Sequence, residues 1–416
     1  MADAARLRAD ATQIRAAAVA AIEPVRLVAE RLATEPLAPG PGGRIVVVGA
    51  GKAAAAMAAG VERAIGREQY RLTGLVSVPE GAGPRPTRIE ARATRPAGEN
   101  LPTPAVEQAT REMLALVGGL GPSDLVIAVI SGGGSALLEA PRTGLALADT
   151  IALTQRLTAA GADIAALNAA RRELSAVKGG GLARACRAGR LVVLVLSDVI
   201  GDDLEVIASG PCMPGGPTVP PGTWTTPGGC AVRHLLVGTN ATAVDAAAAA
   251  ARALGYDVLV RHAAAGSPTQ VAADDVGRRL AREARQLVAA AARDGRPRAV
   301  IEGGESTVTL PADHGRGGRN QQTVLAAVAE LLADDGWPPG LLVESLGTDG
   351  EDGPTEAAGA AADAEVAAAI GAAGIDLPTA VARRDAHSVF ARCGGLVVTG
   401  PTGTNVADVR LLLVSP

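Results

Sequence analysis

Aromatic side chains are nearly absent from this 416-residue chain, which has two Trp, two Tyr and one Phe. Aromatic residues make up 1% of the sequence, whereas 48% of the residues are hydrophobic. The core must therefore be built from Ala, Val, Leu and Ile, whose burial supplies the main driving force for folding. With 20% charged residues, the composition is that of a globular protein rather than a disordered one.

Long apolar runs and basic tracts are also missing. No run approaches the roughly 20 residues that a membrane-spanning helix requires, and the first residues lack the basic and apolar regions of a signal peptide. The formal net charge is -4, which argues against a nucleic-acid or membrane-surface partner. The four cysteines and four histidines show no metal-ligand or redox spacing. We therefore expect a reduced, cytoplasmic protein.

Lysine is very rare in this chain, whereas arginine is common. The chain has 39 basic residues, but only Lys52 and Lys178 are lysines, and both lie beside glycines. A compact ammonium and a planar guanidinium are not interchangeable at a phosphate, so these two positions are candidate functional sites. Asparagine is similarly sparse, and four of the five lie in or beside motif-like stretches: Asn168, Asn240, Asn320 and Asn405.

The order of apolar runs and amphipathic stretches predicts alternating strands and helices. Such alternation is typical of an α/β protein with mostly parallel sheets. A chain of this length exceeds one ordinary core, so we expect two domains, at residues 1–232 and 233–416. The Pro-, Gly- and Thr-rich residues 211–229 are the candidate for a linker or a long loop. Nearly every glycine-rich stretch follows a predicted strand, at the sheet edge where ligands bind.

An apolar β-branched run, a glycine turn with one lysine and an alanine-rich helix follow one another near residue 50. Such a turn favours an anion, so Gly49, Gly51 and Lys52 are candidate nucleotide-binding or catalytic residues. The turn is not a Walker A loop, because Ala53 stands where Ser or Thr would bind Mg²⁺. It fits a loose Gly-x-Gly-x-x-Ala dinucleotide pattern, although Glu80 comes late for a ribose contact. A tight turn without a ligand is the alternative.

A second glycine-rich loop, Ser131-Gly132-Gly133-Gly134-Ser135, follows a buried strand. Three consecutive glycines lose much backbone entropy on folding, and a nest of N–H groups that binds phosphate would explain their presence. A nucleophile elbow would need Gly-x-Ser-x-Gly and a partner histidine, and neither is found. A flexible connection between strand and helix is the remaining alternative.

Acidic residues follow three predicted strands, in the groups Asp198/Asp202/Asp203, Glu302/Glu305 and Asp349/Glu351/Asp352. Acids in loops are usually solvated, but three such groups indicate a shared site, and oxygen ligands in this number suit Mg²⁺. Arg319, with Arg316 nearby, lies in a glycine-rich entry to a helix, where a guanidinium can bind a carboxylate or phosphate through two hydrogen bonds. A plain surface arginine is the default in so arginine-rich a chain.

The glycine-rich motifs, taken in order, resemble one known family. Those of the first half are Val48-Gly-Ala-Gly-Lys-Ala53, Ile130-Ser-Gly-Gly-Gly-Ser-Ala-Leu137, Lys178-Gly-Gly180, Ser197-Asp-Val-Ile-Gly-Asp-Asp203 and Ala208-Ser-Gly-Pro211. Those of the second half are Gly303-Gly-Glu-Ser-Thr307, Gly317-Gly-Arg-Asn-Gln321, Gly347-Thr-Asp-Gly-Glu-Asp-Gly353, Ala357-Ala-Gly359 and Thr399-Gly-Pro-Thr-Gly-Thr-Asn405. Together they resemble the glycerate 2-kinase (MOFRL, DUF4147) family over essentially the whole chain.

The resemblance implies two α/β domains, the first Rossmann-like, with an interdomain cleft. It implies ATP-dependent phosphorylation of the 2-hydroxyl of D-glycerate to give 2-phosphoglycerate, with ATP and Mg²⁺ as cofactors. Some relatives are labelled hydroxypyruvate reductases, so an NAD(P)-dependent reductase remains an alternative, as does a kinase of a related hydroxy acid. The expected partners are small molecules, with no nucleic acid and no membrane, and a homodimer is compatible with the sequence.

In such a phosphotransferase Lys52 would neutralise phosphoryl oxygens and the Ser131–Ser135 loop would bind phosphate. Asp198 would bind Mg²⁺ or accept the hydroxyl proton, with Asp349 as the competitor for either role. Arg319 would bind the acceptor carboxylate or the migrating phosphoryl group. The other expected binding residues are Lys178 (a second phosphate contact), Asn240, Glu305, Asn320, Thr404 and Asn405.

The chain departs from the family pattern in two segments. Where the family typically has Gly-His-Pro-x-Pro, residues 93–100 read Ala-Thr-Arg-Pro-Ala-Gly-Glu-Asn, so the histidine is replaced. Where the family tends to have Gly-Glu-Ala, residues 266–268 read Gly-Ser-Pro. Both changes leave the lysines and the acids in place, so they bear on the acceptor substrate more than on the reaction.

Overall fold

Helices and strands alternate along the chain, as the sequence predicts. The computed structural model describes residues 2–66, 70–96, 99, 101–160, 164–214, 223–263, 271–333 and 336–416. The helices are α1 Ala2–Ala21, α2 Pro24–Thr34, α3 Ala54–Ile65, α4 Pro104–Gly118, α5 Gly134–Leu137, α6 Leu147–Ala159, α7 Ile164–Leu174, α8 Gly181–Ala185, α9 Asn240–Ala253, α10 Ala273–Asp294, α11 Arg319–Ala333, α12 Ala364–Ala372, α13 Leu377–Ala382 and α14 Ala386–Cys393. The strands are β1 Ile45–Ala50, β2 Leu72–Pro79, β3 Glu90–Arg95, β4 Leu125–Ser131, β5 Arg190–Leu196, β6 Thr223–Thr225, β7 Ala231–Gly238, β8 Asp257–Arg261, β9 Val271–Ala272, β10 Arg298–Gly304, β11 Ser306–Thr307, β12 Leu341–Gly347, β13 Gly359–Ala362, β14 Leu396–Val397 and β15 Asp408–Val414.

The chain divides into two compact units. The seven-stranded unit comprises Glu23–Thr239 with Gly403–Asn405, and the six-stranded unit comprises Met1–Ile22, Asn240–Thr402 and Val406–Pro416. The predicted division at 232 and 233 is therefore corrected in two respects. The boundary lies at 239 and 240, and the first helix belongs with the second half of the chain.

The predicted linker at residues 211–229 does not separate the two units. Residues 215–222 lie outside the described residues, but β6 falls within this stretch and pairs antiparallel with β7. The Thr226 N–H donates to the Cys230 carbonyl at 2.9 Å and closes the turn between the two strands. The Pro- and Gly-rich composition thus marks a hairpin inside the seven-stranded unit rather than a domain boundary.

The seven-stranded sheet has the strand order β3-β2-β1-β4-β5-β7-β6. Every pairing in it is parallel except β6 with β7. All residues of β1 and β4 are buried, which is why both strands read as continuous apolar runs. The order reverses at β1, whose neighbours are β2 and β4. Such a reversal opens a crevice beyond the carboxyl ends of the two central strands, where α/β proteins bind ligands.

The six-stranded sheet is mixed, with the order β14-β13-β12-β15-β10-β8. Only β8 and β10 pair in parallel, and the other pairings of this sheet are antiparallel. The mostly parallel α/β character predicted from the sequence thus holds for the chain taken together, while its antiparallel pairings concentrate here. One reason is local: β12 and β13 are joined by a loop without a helix, and parallel neighbours need a longer crossover.

Aliphatic side chains form the core of both units, as the composition predicts. The seven-stranded unit buries Val, Leu, Ile and Ala from β1, β4, β5 and β7. In the six-stranded unit the single phenylalanine, Phe390, is completely buried among such residues. Among the described residues, no helix combines the length and the apolar character needed to cross a bilayer.

Helix α1 is fixed to the six-stranded unit by polar contacts as well as by packing. Its buried stripe, which includes Leu7 and Ile14, is otherwise largely alanine. Arg15 Nη1 lies 2.8 Å from both carboxylate oxygens of Glu344 on β12, and the Tyr256 hydroxyl donates to Asp10 at 2.7 Å. Burial raises the pKa of Glu344, and Arg15 opposes that rise. These partners are far apart in sequence, so the sequence pattern could not assign α1 to its unit.

Two cysteines that the sequence leaves unpaired lie close together. The sulfur atoms of Cys186 and Cys230 are 3.6 Å apart, although the two residues are 44 positions apart in the chain. All four cysteines are buried free thiols. The spacing of the cysteines in the sequence gives no sign of this approach, because it is created by the fold.

Replacing Arg15 by methionine should destabilise the six-stranded unit by about 3 kcal/mol, because it leaves a buried carboxylate without its partner. Urea unfolding followed by circular dichroism measures the change. The matched control is Arg278→Met, which breaks an exposed Arg278–Asp275 pair and should cost less than about 0.5 kcal/mol. Equal effects of the two substitutions would contradict the stabilising role of the buried pair.

Candidate active site

The turn after β1 lies directly against the end of β4. A Cβ at Gly49 would overlap the Val129 carbonyl, and a Cβ at Gly51 would overlap the Ser131 hydroxyl. Both glycines also have positive φ values, 154° and 139°. Glycine is therefore required at both positions by the packing of the two strands. This packing accounts for both glycines, and their place at a nucleotide stays a prediction.

Hydrogen bonds within the unit consume the N–H groups of this turn. The Lys52 N–H donates to the Gly132 carbonyl at 2.9 Å, and the Ala53 N–H donates to the Ser131 hydroxyl at 3.1 Å. The Gly51 N–H donates to Ser77 at 3.3 Å. The predicted anion donors are thus already used inside the fold, and the Lys52 side chain is the part of the turn that lies beside Gly133.

The loop after β4 keeps its N–H groups available. Gly133 is left-handed with φ 75°, and it begins the short helix α5. Within the described part of the chain, the N–H groups of Gly134 and Ser135 donate to no carbonyl or side chain. The two serines have structural partners instead, since Ser131 accepts from Ala53 and the Ser135 hydroxyl lies 2.9 Å from that of Ser209. The loop fits the predicted nest of donors.

Four polar side chains converge on this loop. A Cβ at Gly133 would lie 3.5 Å from Lys52 Cγ and 3.7 Å from Arg95 Nη2, so two cations flank this glycine. A Cβ at Gly132 would overlap the Asp198 carboxylate and would lie 3.1 Å from Asn405 Nδ2. Asn405 donates to Asp198 at 3.3 Å. We call Lys52, Arg95, Asp198, Asn405, Gly132 and Gly133 the loop-β4 cluster; all of its members except Arg95 were predicted from the sequence.

Arg95 is the member of the loop-β4 cluster that the sequence did not suggest. It is buried at the carboxyl end of β3, and this strand is too polar to be recognised from its residues. Three residues of the departing segment 93–100, at positions 97, 98 and 100, lie outside the described residues, as does all of 266–268. The signal that could have found Arg95 is its place before a proline at the end of a parallel strand.

Lys178 lies within the protein rather than at its surface. Its ammonium donates to the carbonyls of Ser135 and Leu138, each at 2.8 Å, and pairs with Glu139 at 2.9 Å. Burial lowers its pKa. Because an ammonium has three hydrogens, these partners leave none for a phosphate oxygen in this conformation. The predicted phosphate contact is therefore corrected to a contact with the protein itself.

The second cluster lies in the six-stranded unit and centres on Arg319. The Nε and Nη2 atoms of Arg319 each donate at 2.9 Å to the buried carboxylate of Asp408, and Nη1 pairs with Glu305 at 2.8 Å. Burial opposes the guanidinium charge, but the two carboxylates raise its pKa above the ordinary value. Asp408 in turn accepts from Asn320 at 3.0 Å. The Arg319 cluster therefore holds its guanidinium rigidly, with one third of the side chain exposed.

Asp352 fixes the start of the helix that carries Arg319. Its carboxylate accepts from the N–H groups of Asn320 at 3.0 Å and Gln321 at 2.8 Å. Burial raises the pKa of Asp352 to about 6, and the nearby charge of Asp408 acts in the same direction. Asn320 is completely buried, and its Oδ1 atom accepts a hydrogen bond from the Ser345 hydroxyl. Asp352 and Asn320 thus position the backbone of α11, and neither side chain is presented to a ligand.

Asn240 has a structural place at the start of α9. Its amide donates to the carbonyls of Val406 at 2.8 Å and Asp408 at 3.0 Å, which ties α9 to the beginning of β15. A Cβ at Gly303 would overlap this amide. These contacts give Asn240 a structural role, and its binding of substrate or nucleotide stays a prediction. Thr404 is buried beside Asn405 in sequence, and it belongs to the seven-stranded unit.

The carboxylates predicted to bind a metal belong to different units, Asp198 to the seven-stranded unit and Asp349 to the six-stranded unit. Asp349 accepts from the Glu351 N–H at 3.1 Å within its own loop. In the described ranges, no group of three or more His, Cys, Asp or Glu side chains could hold a metal ion. Mg²⁺ at a nucleotide commonly takes one or two carboxylates with phosphate oxygens and waters, so a single carboxylate such as Asp198 fits that chemistry.

Asp352 should make stability depend on pH. Its folded pKa of about 6 exceeds the ordinary 3.8, so between these values the folded state binds more protons than the unfolded state. Stability contributed by this group should therefore fall as pH rises from about 4 to about 6, by about 3 kcal/mol at most. Urea unfolding of wild type and Asp352→Asn across this range isolates the effect as the difference between the two curves. Parallel curves would contradict the raised pKa.

Comparison with known proteins places the chain among named relatives. Residues 10–221 match a family described as a domain of unknown function, DUF4147, and residues 298–408 match the MOFRL family. The chain is 36% identical to a human glycerate kinase, with 89% of this chain and 84% of that protein covered. It is 38% identical to an Agrobacterium vitis protein provisionally named hydroxypyruvate reductase, with 96% and 92% covered.

Solved structures agree with these matches. The fold is similar to that of a glycerate kinase from Thermotoga maritima, with a TM-score of 0.82, 32% identity, and 98% of this chain and 99% of that chain covered. A protein from Pyrococcus horikoshii matches with a TM-score of 0.74 at 28% identity, with 98% of each chain covered. The chain therefore belongs to the DUF4147–MOFRL family of glycerate kinase relatives.

Proposed function

We propose that the protein is an ATP-dependent glycerate 2-kinase, which transfers the γ-phosphoryl group of ATP to the 2-hydroxyl of D-glycerate. The observation that carries the proposal is the loop-β4 cluster, in which Lys52 lies against a three-glycine loop at the strand reversal between β1 and β4. Family membership supports the kinase chemistry. The assignment of the phosphorylated hydroxyl to the 2-position rests on the resemblance of the sequence motifs.

The loop-β4 cluster suits the handling of a phosphoryl group. Phosphoryl transfer requires positioning and neutralisation of charge more than covalent chemistry. The N–H groups of Gly134 and Ser135 would donate to phosphate oxygens, and the Lys52 ammonium would follow the charge as it redistributes. Arg95 adds a second cation beside Gly133. A flexible ammonium can track a moving group, whereas the planar guanidinium of Arg95 is better suited to a fixed oxygen pair.

Arg319 is proposed to bind the carboxylate of the acceptor or the migrating phosphoryl group. Its contacts with Asp408 and Glu305 use three of its five N–H hydrogens, which leaves one each on Nη1 and Nη2. Asp408 is completely buried, whereas the Glu305 side chain is 39% exposed. An arriving anion would therefore displace Glu305 rather than Asp408. Asn320 and Asp352 would keep the guanidinium in place.

Asp198 is the carboxylate we assign to Mg²⁺, because it shares the loop-β4 cluster with Lys52. The ion would offset the negative charge of the ATP phosphates. Asn405 would hold the Asp198 carboxylate in a fixed orientation through its amide. Asp349 is then the candidate for accepting the proton of the 2-hydroxyl. We place this chemistry in the cytoplasm, which fits the four free thiols, and a homodimer is compatible with it.

A hydroxypyruvate reductase is the second candidate, and one observation favours it. Glu80 directly follows β2 and is exposed, with its N–H donating to Arg95 at 2.9 Å. That is the strand end where dinucleotide-binding folds carry an acid for the ribose. The late position of Glu80 in the sequence is therefore no argument against NAD(P). The N–H groups of the β1 turn do argue against NAD(P), because they are bonded inside the protein and a bound pyrophosphate would need them.

One assay separates the candidates. Purified protein is given D-glycerate, ATP and Mg²⁺, and in parallel hydroxypyruvate and NADH or NADPH. We expect release of ADP and a product whose phosphorus couples to the C2 proton in NMR. Oxidation of NADH or NADPH without ADP would replace the kinase by a reductase. Coupling to the C3 protons would keep the kinase and overturn the 2-position.

Replacing Lys52 by arginine should lower kcat/KM for ATP about 100-fold, because a planar guanidinium cannot follow the phosphoryl group as the ammonium does. The steady-state rate of ADP release measures the loss. The control is Arg278→Lys, a cation exchange in an exposed pair of the other unit, which should leave the rate unchanged. A rate within about twofold of wild type for Lys52→Arg would show that no special role belongs to this lysine.

A further inference from the structure

Both lysines of the chain act on one segment. Residues 131–139, which we call the loop–helix segment, contain the glycine loop, helix α5 and Glu139. Lys52 approaches this segment at Gly133. Lys178 approaches it at Ser135, Leu138 and Glu139. All 37 other basic residues of the chain are arginines, so both lysines of the chain contact the same short segment.

The contacts of Lys178 use its full capacity as a donor. Its three hydrogens meet two carbonyls at 2.8 Å each and a carboxylate oxygen at 2.9 Å. The side chains of Lys178 and Glu139 are 0% and 2% exposed. A buried charge is tolerated when it is both paired and hydrogen-bonded, and here both conditions are met. The ammonium therefore ties three points of the loop–helix segment to one atom.

A guanidinium could not make the same set of contacts. Its five donors lie in one plane, and they outnumber the three acceptor atoms that Lys178 uses in this enclosed place. The tetrahedral ammonium matches acceptors that approach from three directions. The identity of the residue thus follows from geometry, and the scarcity of lysine elsewhere in the sequence is consistent with it.

The loop that carries Lys178 also contacts the loop–helix segment indirectly, through Ser209. The N–H groups of Gly179 and Gly180 donate to Ser209 at 3.0 Å and to Gly210 at 2.8 Å. This turn is strained, since Ser209 has a φ of 62°, and left-handed non-glycine residues cost of order 1–3 kcal/mol. The Ser209 hydroxyl in turn lies 2.9 Å from that of Ser135. Strain of this kind persists only where the surroundings hold the backbone in place.

We propose that Lys178 is a positioning residue for phosphoryl transfer: its buried ammonium fixes the loop–helix segment, so that the donors of the glycine loop point to one place. The assignment of the loop to phosphate rests on the proposed function. The fixing of the segment does not, because it follows from contacts within the seven-stranded unit. The two claims can therefore be tested separately.

The first experiment measures order in the segment directly. Hydrogen exchange of peptides covering residues 131–139 is compared in wild type, Lys178→Met and Lys178→Arg, with Arg15→Met as a control that breaks a buried ion pair in the other unit. We expect exchange at least tenfold faster in both Lys178 variants and unchanged in the control. Unchanged exchange in a folded Lys178→Met protein would overturn the proposal.

The second measurement is kinetic and depends on the proposed reaction. Displacement of a reacting group by about 1 Å costs about 100-fold, so kcat/KM of Lys178→Met should fall about 100-fold, with most of the loss in kcat. Arginine at this position should not restore it. If the wild type itself releases no ADP from D-glycerate and ATP, the proposed function fails, and the exchange data still decide the role of Lys178.

A third variant covers the case in which Lys178→Met does not fold. Glu139→Gln keeps the volume and removes the carboxylate charge. The charged groups that act on Lys178 are Glu139, which favours the ammonium, and Arg171, which opposes it. The quantity measured is the alkaline limit, which is the pH above which residues 131–139 lose their protection against hydrogen exchange. Loss of the carboxylate should lower this limit by about one pH unit. An alkaline limit equal to that of wild type would overturn the proposal.

Discussion

The turn after β1 can lie against the loop after β4 only because its two glycines carry no Cβ. Val129 and Ser131 occupy the space that side chains at Gly49 and Gly51 would need. This approach brings the Lys52 backbone into hydrogen-bonding range of Gly132 and so sets where its side chain begins. The arrangement consumes the backbone donors of the turn, and charge at this edge of the sheet must come from side chains.

The two units hold Arg319 and Lys52 in different ways. Arg319 is locked by a buried carboxylate and by the start of a helix whose first N–H groups are themselves bound to Asp352. Lys52 is held through its backbone N–H by the Gly132 carbonyl, and its side chain lies beside Gly133. A rigid guanidinium suits the recognition of a bound anion, and a mobile ammonium suits a group that changes place. Under the proposed function, the residue types of Arg319 and Lys52 would fit a bound anion and a moving phosphoryl group, whereas Lys178 is a lysine because of the three acceptors around it.

Elements with a strong local pattern were predictable from the sequence. The apolar runs of β1 and β4 and the glycine loops that follow them were recognised because period and composition suffice for buried parallel strands. Partners distant in the chain were not predictable. Asp408 is 89 positions from Arg319, and Cys186 meets Cys230 only through the fold. A lone sequence carries no information on such pairs, and it also could not show that the ammonium of Lys178 faces inward.

The loop between β14 and β15 can tolerate little change in its length. Asn405 belongs to the seven-stranded unit, where it holds Asp198, while Asp408, three positions later, belongs to the six-stranded unit and holds Arg319. A single residue inserted or deleted between them would move one of these side chains out of register with its partner. The connection between β14 and β15 should therefore resist changes in length, whereas surface loops ordinarily tolerate them. Gene fusions and permutations of this protein need to leave those few residues uncut.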